Sequence, residues 1–243
     1  MYDMKSTIAS VLFLSLAMSA SASAEDATIL HKDPHINEMG FFDMHLCNWP
    51  DRNHFFKILF STTKFDDVAS MEIFTPEGES LTVLDKNKFM HLQRKKKPDK
   101  RVFMLNLDVP DTATTGWYSI KVHDNKGQEY RAQDYVVMSR LQRASGMSPS
   151  DDAEDVALPV ILKWAAVPGA NWYRIYIRDV WTDKLVFQSR LQPQTFVGVP
   201  ASKLEPGGYY SWTIHSRDTN EHILLGDFHM GSMSEKAHFS ISE

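Results

Sequence analysis

Histidines, acidic residues and one cysteine are the side chains from which a metal site or an acid–base centre would be built. Ten histidines occur in 243 residues, but His31 and His35 flank a proline and His45 stands alone. No His-x-x-x-His or Cys-x-x-Cys spacing falls on a single predicted element. A four-coordinate site needs ligands that converge at about 2.0–2.3 Å, which such scatter does not predict. We therefore predict no metal and no cofactor.

Other chemistry-bearing patterns are incomplete. Asp218, Asn220 and Glu221, with Asp227 beyond them, offer oxygen ligands, but the full spacing of a known calcium loop is missing. The spacing of Cys47 from its neighbouring histidines predicts no catalytic geometry. No Gly-x-Ser-x-Gly, phosphate-cradling glycine loop or Gly-x-Gly-x-x-Gly is present. The sequence therefore predicts a protein that is not an enzyme.

A basic run is the most strongly charged segment. Residues 86–101 carry eight Lys or Arg and one Asp, in a chain of net charge −5. Such a patch is able to meet anionic polymers, and its candidate binding residues are Lys88, Arg94, Lys95, Lys96 and Lys97. The alternative, which we favour, is a solvated loop that discourages strand-edge pairing. The near-balanced total charge gives no pull toward nucleic acid.

The first residues have the pattern of a cleavable export signal. Lys5 precedes an apolar run over residues 7–18, and Ala22-Ser23-Ala24 ends the stretch just before an acidic pair. The run is too short for a membrane anchor, which needs about 20 residues, and no later segment is long enough to cross a membrane. Cleavage is expected after Ala24, so residues 1–24 are predicted to be the signal peptide.

The number of cysteines helps to predict the cellular compartment of the protein. Cys47 is the single cysteine, so no intramolecular disulfide is possible, and it lies too far past the cleavage site to carry a lipid anchor. We expect Cys47 to be a buried small hydrophobe. An exported chain of this size without disulfides fits a bacterial periplasm or exterior, so the predicted location is periplasmic or secreted.

Turn-forming and acidic residues divide the chain into two parts. Residues 145–150 are rich in Ser, Gly and Pro, and the segment that follows, up to residue 155, is acidic with nothing to bury. Short β-branched and aromatic runs alternate with turn residues on both sides. We predict an all-β protein with two tandem β-sandwich domains, residues 25–144 and 157–243, joined by a linker at 145–156.

Alternation assigns a core to the first domain. Strands are predicted at residues 55–61 and 68–74, followed by a hairpin return at 80–84, and at 101–109 and 115–124. The inward residues are expected to be Phe103, Leu105, Leu107 and Val109 on one strand, and Tyr118, Ile120 and Val122 on the next. The stretch Gly116-x-Tyr118-x-Ile120-x-Val122 before Asp124-Asn125-Lys126-Gly127 resembles the late strands of bacterial immunoglobulin-like domains, which bears on fold and not on activity.

The second domain resembles a fibronectin type III domain over nearly its whole length. Trp164 stands where such domains keep their central tryptophan, and Gly169-Ala170-x-x-Tyr173-x-Ile175-x-Ile177 matches a strand of the family. Leu204, Pro206 and Tyr210 match its Leu-x-Pro-x-x-x-Tyr element. The resemblance implies that the Tyr210 hydroxyl bonds back to main chain at a strand corner and that Trp164 fills the core.

If those residues face inward, alternation places large aromatic and arginine side chains on the opposite face. Rigid rings and guanidinium groups are enriched at binding surfaces. The candidate binding residues here are Trp172, Arg174, Tyr176, Arg178, Thr213, His215 and Arg217, with Tyr209 and Ser211 on the same face. Two other interpretations stay open: this face packs on the first domain, or its side chains form ordinary cross-strand pairs.

The sequence favours an exported, non-enzymatic binding or adaptor protein that recognises a cell-envelope or extracellular protein or glycan. A structural or scaffold subunit of a surface assembly, joined by strand-edge pairing, is the alternative. An accessory protein in polysaccharide processing is favoured less. The scaffold alone decides none of these, because one sandwich serves many functions.

Overall fold

The computed structural model describes residues 33–93, 95–219 and 228–243. The predicted export signal lies outside the described residues, as do Arg94 of the basic run and Asn220, Glu221 and Asp227 of the acidic stretch. The described part of the chain is all-β, with two 3-10 turns at Phe65–Asp67 and Ala201–Lys203. Within these ranges, no helix has the length and apolar character that crossing a membrane demands.

Sixteen strands are described. In chain order they are β1 (Phe41–Asn48), β2 (Phe55–Thr62), β3 (Val68–Phe74), β4 (Ser80–Val83), β5 (Phe89–Leu92), β6 (Lys100–Asp108), β7 (Gly116–Asp124), β8 (Glu129–Val136), β9 (Ala153–Val156), β10 (Ile161–Lys163), β11 (Trp172–Asp179), β12 (Leu185–Gln188), β13 (Phe196–Gly198), β14 (Tyr209–Arg217), β15 (Met230–Met233) and β16 (Ala237–Ile241). β9 lies in the segment whose composition predicts a linker.

The strands form three sheets. The largest has ten strands in the order β12-β11-β14-β15-β1-β2-β6-β5, with β16 beside β14 and β9 beside β16. A four-stranded sheet runs β4-β3-β7-β8, and β10 pairs with β13. The predicted hairpin return is confirmed, because β3 and β4 pair antiparallel.

The first hydrophobic core lies between the four-stranded sheet and β1, β2 and β6. Tyr118, Ile120 and Val122 are fully buried in it, and Phe103 joins them. The other residues predicted to face inward pack against the same core with partial exposure: Leu105 and Leu107 on β6, and Val109 directly after it. The alternation predicted for β6 and β7 is therefore confirmed.

The second core has the tryptophan and tyrosines that the sequence places inside it. Trp164 is 5% exposed, and its ring meets that of Tyr173 edge-on at 5.4 Å between centroids. The backbone N–H of Glu205 donates to the Tyr210 hydroxyl at 2.8 Å, which is the strand-corner bond that the family resemblance implies. The other predicted inward residues are also buried: Val160, Leu162, Ile175, Ile177, Trp212, Ile214, Phe239 and Ile241.

A parallel strand pair joins the two halves of the largest sheet. β1 pairs with β15 through Leu46 with Met230, and the neighbouring residues follow in register. The Asn48 side chain donates to the Leu141 carbonyl at 3.0 Å beside this pair. Through this pair, the face of β11 and β14 that points away from the second core continues sideways onto β1, β2 and β6. β1 and β15 lie at opposite ends of the sequence.

Candidate functional site

The predicted aromatic and arginine residues do share one face of β11 and β14. The antiparallel register sets Trp172 opposite Arg217, Arg174 opposite His215 and Tyr176 opposite Thr213. Directly opposed residues project from the same side of a sheet, so these side chains lie side by side. We call Trp172, Arg174, Tyr176, Thr213 and Arg217 the aromatic–arginine face.

Each member of the aromatic–arginine face is partly exposed. The neighbouring Arg178 already has partners in the β11–β12 hairpin. The Arg178 guanidinium donates to the Asp183 carbonyl at 2.6 Å and lies 3.6 Å from the Asp183 carboxylate. Arg174 differs, because its buried Nε has no hydrogen-bond partner among the described residues. Arg174 is therefore the guanidinium on this face that retains an unused buried donor.

His215 is not an exposed contact residue, and the prediction that placed it on the open surface is wrong. It is only 7% exposed, and its Nδ1 accepts hydrogen bonds from the Arg217 guanidinium at 3.1 and 3.3 Å. Burial, followed by the nearby positive charge of Arg217, holds the pKa of His215 well below its ordinary value. The imidazole is therefore neutral, as an acceptor facing a guanidinium must be. Ser211, also expected outside, is buried as well.

Phe228 explains the burial of His215. Its ring lies 5.5 Å from the His215 ring and 3.8 Å from the His45 ring, with the Arg217 guanidinium carbon 4.7 Å from its centroid. Gly231 makes this packing possible, because a Cβ there would lie 2.5 Å from the Phe228 ring. The end of the aromatic–arginine face nearest β1 is thus closed by an aromatic side chain.

A buried ion pair stands beside Phe228 on β1. The His45 Nδ1 donates to the Asp43 carboxylate at 3.2 Å, and both residues are nearly inaccessible. Burial alone would lower the pKa of His45, but the Asp43 carboxylate and the contacts of His45 with Asp43 and Cys47 outweigh it and raise the pKa to about 10. An imidazole that is already protonated at neutral pH does not act as a general base. Cys47, two residues on, is fully buried, as the sequence predicts.

One group of side chains in the described ranges has the arrangement of metal ligands. Ligand atoms of Asp151, Asp152 and His238 all lie within 4.8 Å of one another. Asp151 accepts from the backbone N–H of His238 at 2.8 Å and lies 2.9 Å from the His238 Nδ1. These bonds satisfy Asp151 without an ion. Sequence reasoning missed the group because its members come from β16 and from the segment before β9, far apart in the chain.

The basic run is not the plain loop that composition favours. Phe89–Leu92 forms β5, which pairs with β6 at the edge of the largest sheet. All four residues of β5 are exposed, as are Lys88, Lys95, Lys96 and Lys97. These four lysines therefore flank an edge strand, toward the opposite end of the strand order from β11.

Comparisons with known proteins give structural similarities only. No family model matches the chain, and no curated protein matches it. Among solved structures, a biofilm-associated protein BSP domain matches with a TM-score of 0.28 and 11% identity, over 83% of this chain and 29% of that chain. The FN1–FN3 domains of chicken CNTN1 match with a TM-score of 0.32 and 11% identity, over 87% and 68%.

A glycan-complexed protein is also among the matches. Bacteroides ovatus SGBP-B, of a mixed-linkage glucan utilization locus and solved with a mixed-linkage heptasaccharide, matches with a TM-score of 0.25 and 13% identity. The match covers 80% of this chain and 42% of that chain. At TM-scores this low, none of these likenesses carries an argument about what this chain binds. The function must be argued from its own residues.

Proposed function

We propose that this chain is an exported, non-enzymatic binding or adaptor protein. Its aromatic–arginine face holds a cell-envelope or extracellular protein or glycan. The observation that carries the proposal is the placement of two large rings and two guanidinium groups, partly exposed, on one side of adjacent strands. Export rests on the signal pattern of residues 1–24.

The chemistry of the face suits recognition. Trp172 and Tyr176 stand on either side of Arg174 along β11, so two rings flank the guanidinium whose Nε lacks a described partner. Rigid rings give contact area at little loss of conformational entropy, and a guanidinium adds directional hydrogen bonds. Because β14 pairs with strands on both sides, the platform beneath these side chains is held firmly.

The domain assignment belongs to the same proposal. We infer an immunoglobulin-like sandwich over residues 25–144 and a fibronectin type III-like sandwich over 157–243. The two separate hydrophobic cores support this division. The buried Trp164 and the corner bond at Tyr210 support the second family resemblance. In this arrangement the second sandwich carries the binding face.

Affinity capture with a matched control tests the face. The double variant Trp172→Ser and Tyr176→Ser removes both rings, and loss of two interface aromatics should weaken capture from a cell-envelope extract at least about tenfold. The control is Trp117→Ser with Tyr135→Ser, an aromatic pair on β7 and β8 whose rings lie 5.3 Å apart and are 46% and 37% exposed. Melting temperatures of both variants establish that the fold survives.

The proposal predicts that bound material is lost with the β11 variant and retained with the control. Equal retention by wild type and both variants would place the binding surface elsewhere.

A second candidate function, assembly by strand addition, is favoured by the edge strands: β12 and β5 end the largest sheet, and β4 and β8 end the four-stranded one. A sizing column at high protein concentration separates them, because strand addition requires oligomers.

A further inference from the structure

The β5–β6 hairpin exposes apolar side chains on the outer side of the largest sheet. Met90 is 48% exposed and Leu92 is 37% exposed. Met90 opposes Val102 on β6, and Met104 opposes Leu59 on β2. Opposed residues share a side, so these five residues form one apolar strip, which we call the hairpin strip. Val102, Met104 and Leu59 are partly exposed.

Lysines border the hairpin strip. Lys88 precedes β5, while Lys95, Lys96 and Lys97 lie in the turn that follows it, and all four are exposed. The acidic side chains nearby are engaged locally. Asp99 lies 3.1 Å from the His91 Nε2, and Asp85 accepts the backbone N–H of Asn87 at 2.9 Å. The hairpin is therefore positively charged in a chain whose net charge is −5.

We propose that the β5–β6 hairpin docks this protein on the surface of an anionic phospholipid bilayer. The lysines meet the phosphate headgroups, and Met90 and Leu92 enter the boundary between headgroups and acyl chains. An anionic polysaccharide would satisfy the lysines but leave the apolar strip in water, whereas a bilayer satisfies both. The pairing of charge with apolar exposure therefore favours the lipid surface.

This inference does not depend on the aromatic–arginine face. The register connects the two surfaces across one sheet: β11 and β14 lie toward one end of the strand order and β6 and β5 at the other. If the hairpin contacts the membrane, β11 and β14 lie outside the contact area. Substitutions can therefore test the hairpin and the aromatic–arginine face separately.

Vesicle co-sedimentation tests the inference. The full chain should sediment with phosphatidylcholine vesicles containing about one third phosphatidylglycerol and stay in solution with pure phosphatidylcholine. Replacing Lys95, Lys96 and Lys97 with Gln should weaken binding by about fivefold per lysine, roughly a hundredfold together. Met90→Ser with Leu92→Ser should weaken it by about tenfold. Raising the salt concentration should also release the protein.

Two control variants match these changes in charge and polarity. Lys126→Gln, Lys184→Gln and Lys203→Gln remove three exposed lysines away from the hairpin. Val83→Ser with Leu185→Ser removes two exposed apolar side chains on other strands. Both controls should bind anionic vesicles as wild type does. All the altered side chains are exposed, so the fold should survive, which circular dichroism verifies.

Two outcomes would overturn the inference. One is failure of the wild-type chain to sediment with the anionic vesicles. The other is wild-type binding by the Met90 and Leu92 variant together with equal binding of a soluble sulfated polysaccharide. That second result would make the hairpin a site for anionic polymers instead of lipid.

Discussion

Replacing Trp164 tests whether the second sandwich is built around this ring. The indole is 5% exposed and meets Tyr173 edge-on, inside a core closed by β10, β11 and β14. Trp164→Ala removes the whole ring and leaves a cavity that the sheets fill only in part. Such substitutions cost about 3–5 kcal/mol of unfolding free energy, against a total of about 5–15 kcal/mol for a domain.

The phenylalanine variant measures how much of the loss comes from ring packing. The Trp164 Nε1 is buried and has no hydrogen-bond partner among the described residues. A buried donor without an acceptor costs about 1–3 kcal/mol, and Trp164→Phe removes that donor while keeping an aromatic ring. Trp164→Ala removes the same donor, so the difference between the two variants reports the ring that Phe retains: Trp164→Phe should lose less stability than Trp164→Ala, by about 2 kcal/mol or more.

Urea denaturation followed by circular dichroism measures both changes, with Trp181→Ala as the control. Trp181 is 80% exposed, and its loss should shift the unfolding free energy by less than about 0.5 kcal/mol. If Trp164→Ala cost no more than Trp181→Ala, Trp164 would not be the centre of the core. If Trp164→Phe cost as much as Trp164→Ala, packing of the aromatic ring would not be what stabilises this core.

Four further predictions concern the Tyr210 corner and the packing around His45, His215 and Phe228. Tyr210→Phe removes the acceptor of the 2.8 Å corner bond and should cost about 0.5–1.5 kcal/mol in urea denaturation, which an unchanged midpoint would contradict. The raised pKa of His45 adds stability below pH 6.5 that is lost as pH rises toward about 10, and His45→Gln should flatten that alkaline decline in the urea midpoint. The lowered pKa of His215 acts oppositely, so stability should fall as pH drops below 6.5, and less so in His215→Gln. Gly231→Ala should cost about 1–3 kcal/mol by displacing Phe228, and a wild-type melting temperature would show that the ring moves freely.

Odd–even alternation predicted the second core and the residues that share the aromatic–arginine face. It worked because β11 buries one side, so Tyr173 and Ile175 separate cleanly from Trp172 and Arg174. The same reasoning failed at His215. Its face is open along most of β14 but is covered by Phe228, a residue beyond the end of that strand. Alternation predicts which side of the sheet a residue faces, but not which residues elsewhere in the chain pack against that side.

Strand β1 was missed although its residues alternate between apolar and polar, and both of its sides are buried. Phe42, Met44 and Leu46 face the first core, while Asp43 and His45 are buried on the other side. Its parallel pairing with β15 joins segments far apart in the chain, and no local pattern encodes that contact. Strand β5 was missed because lysines surround it.

Side-chain footprinting with hydroxyl radicals tests directly whether the aromatic–arginine face contacts bound material. The wild-type chain is oxidised alone and while loaded with material from a cell-envelope extract, and the modification of each aromatic ring is compared. We expect Trp172 and Tyr176 to become protected in the loaded sample, while Trp117 and Tyr135 are oxidised as before. Unchanged oxidation of Trp172 and Tyr176 in a sample shown to carry bound material would contradict it.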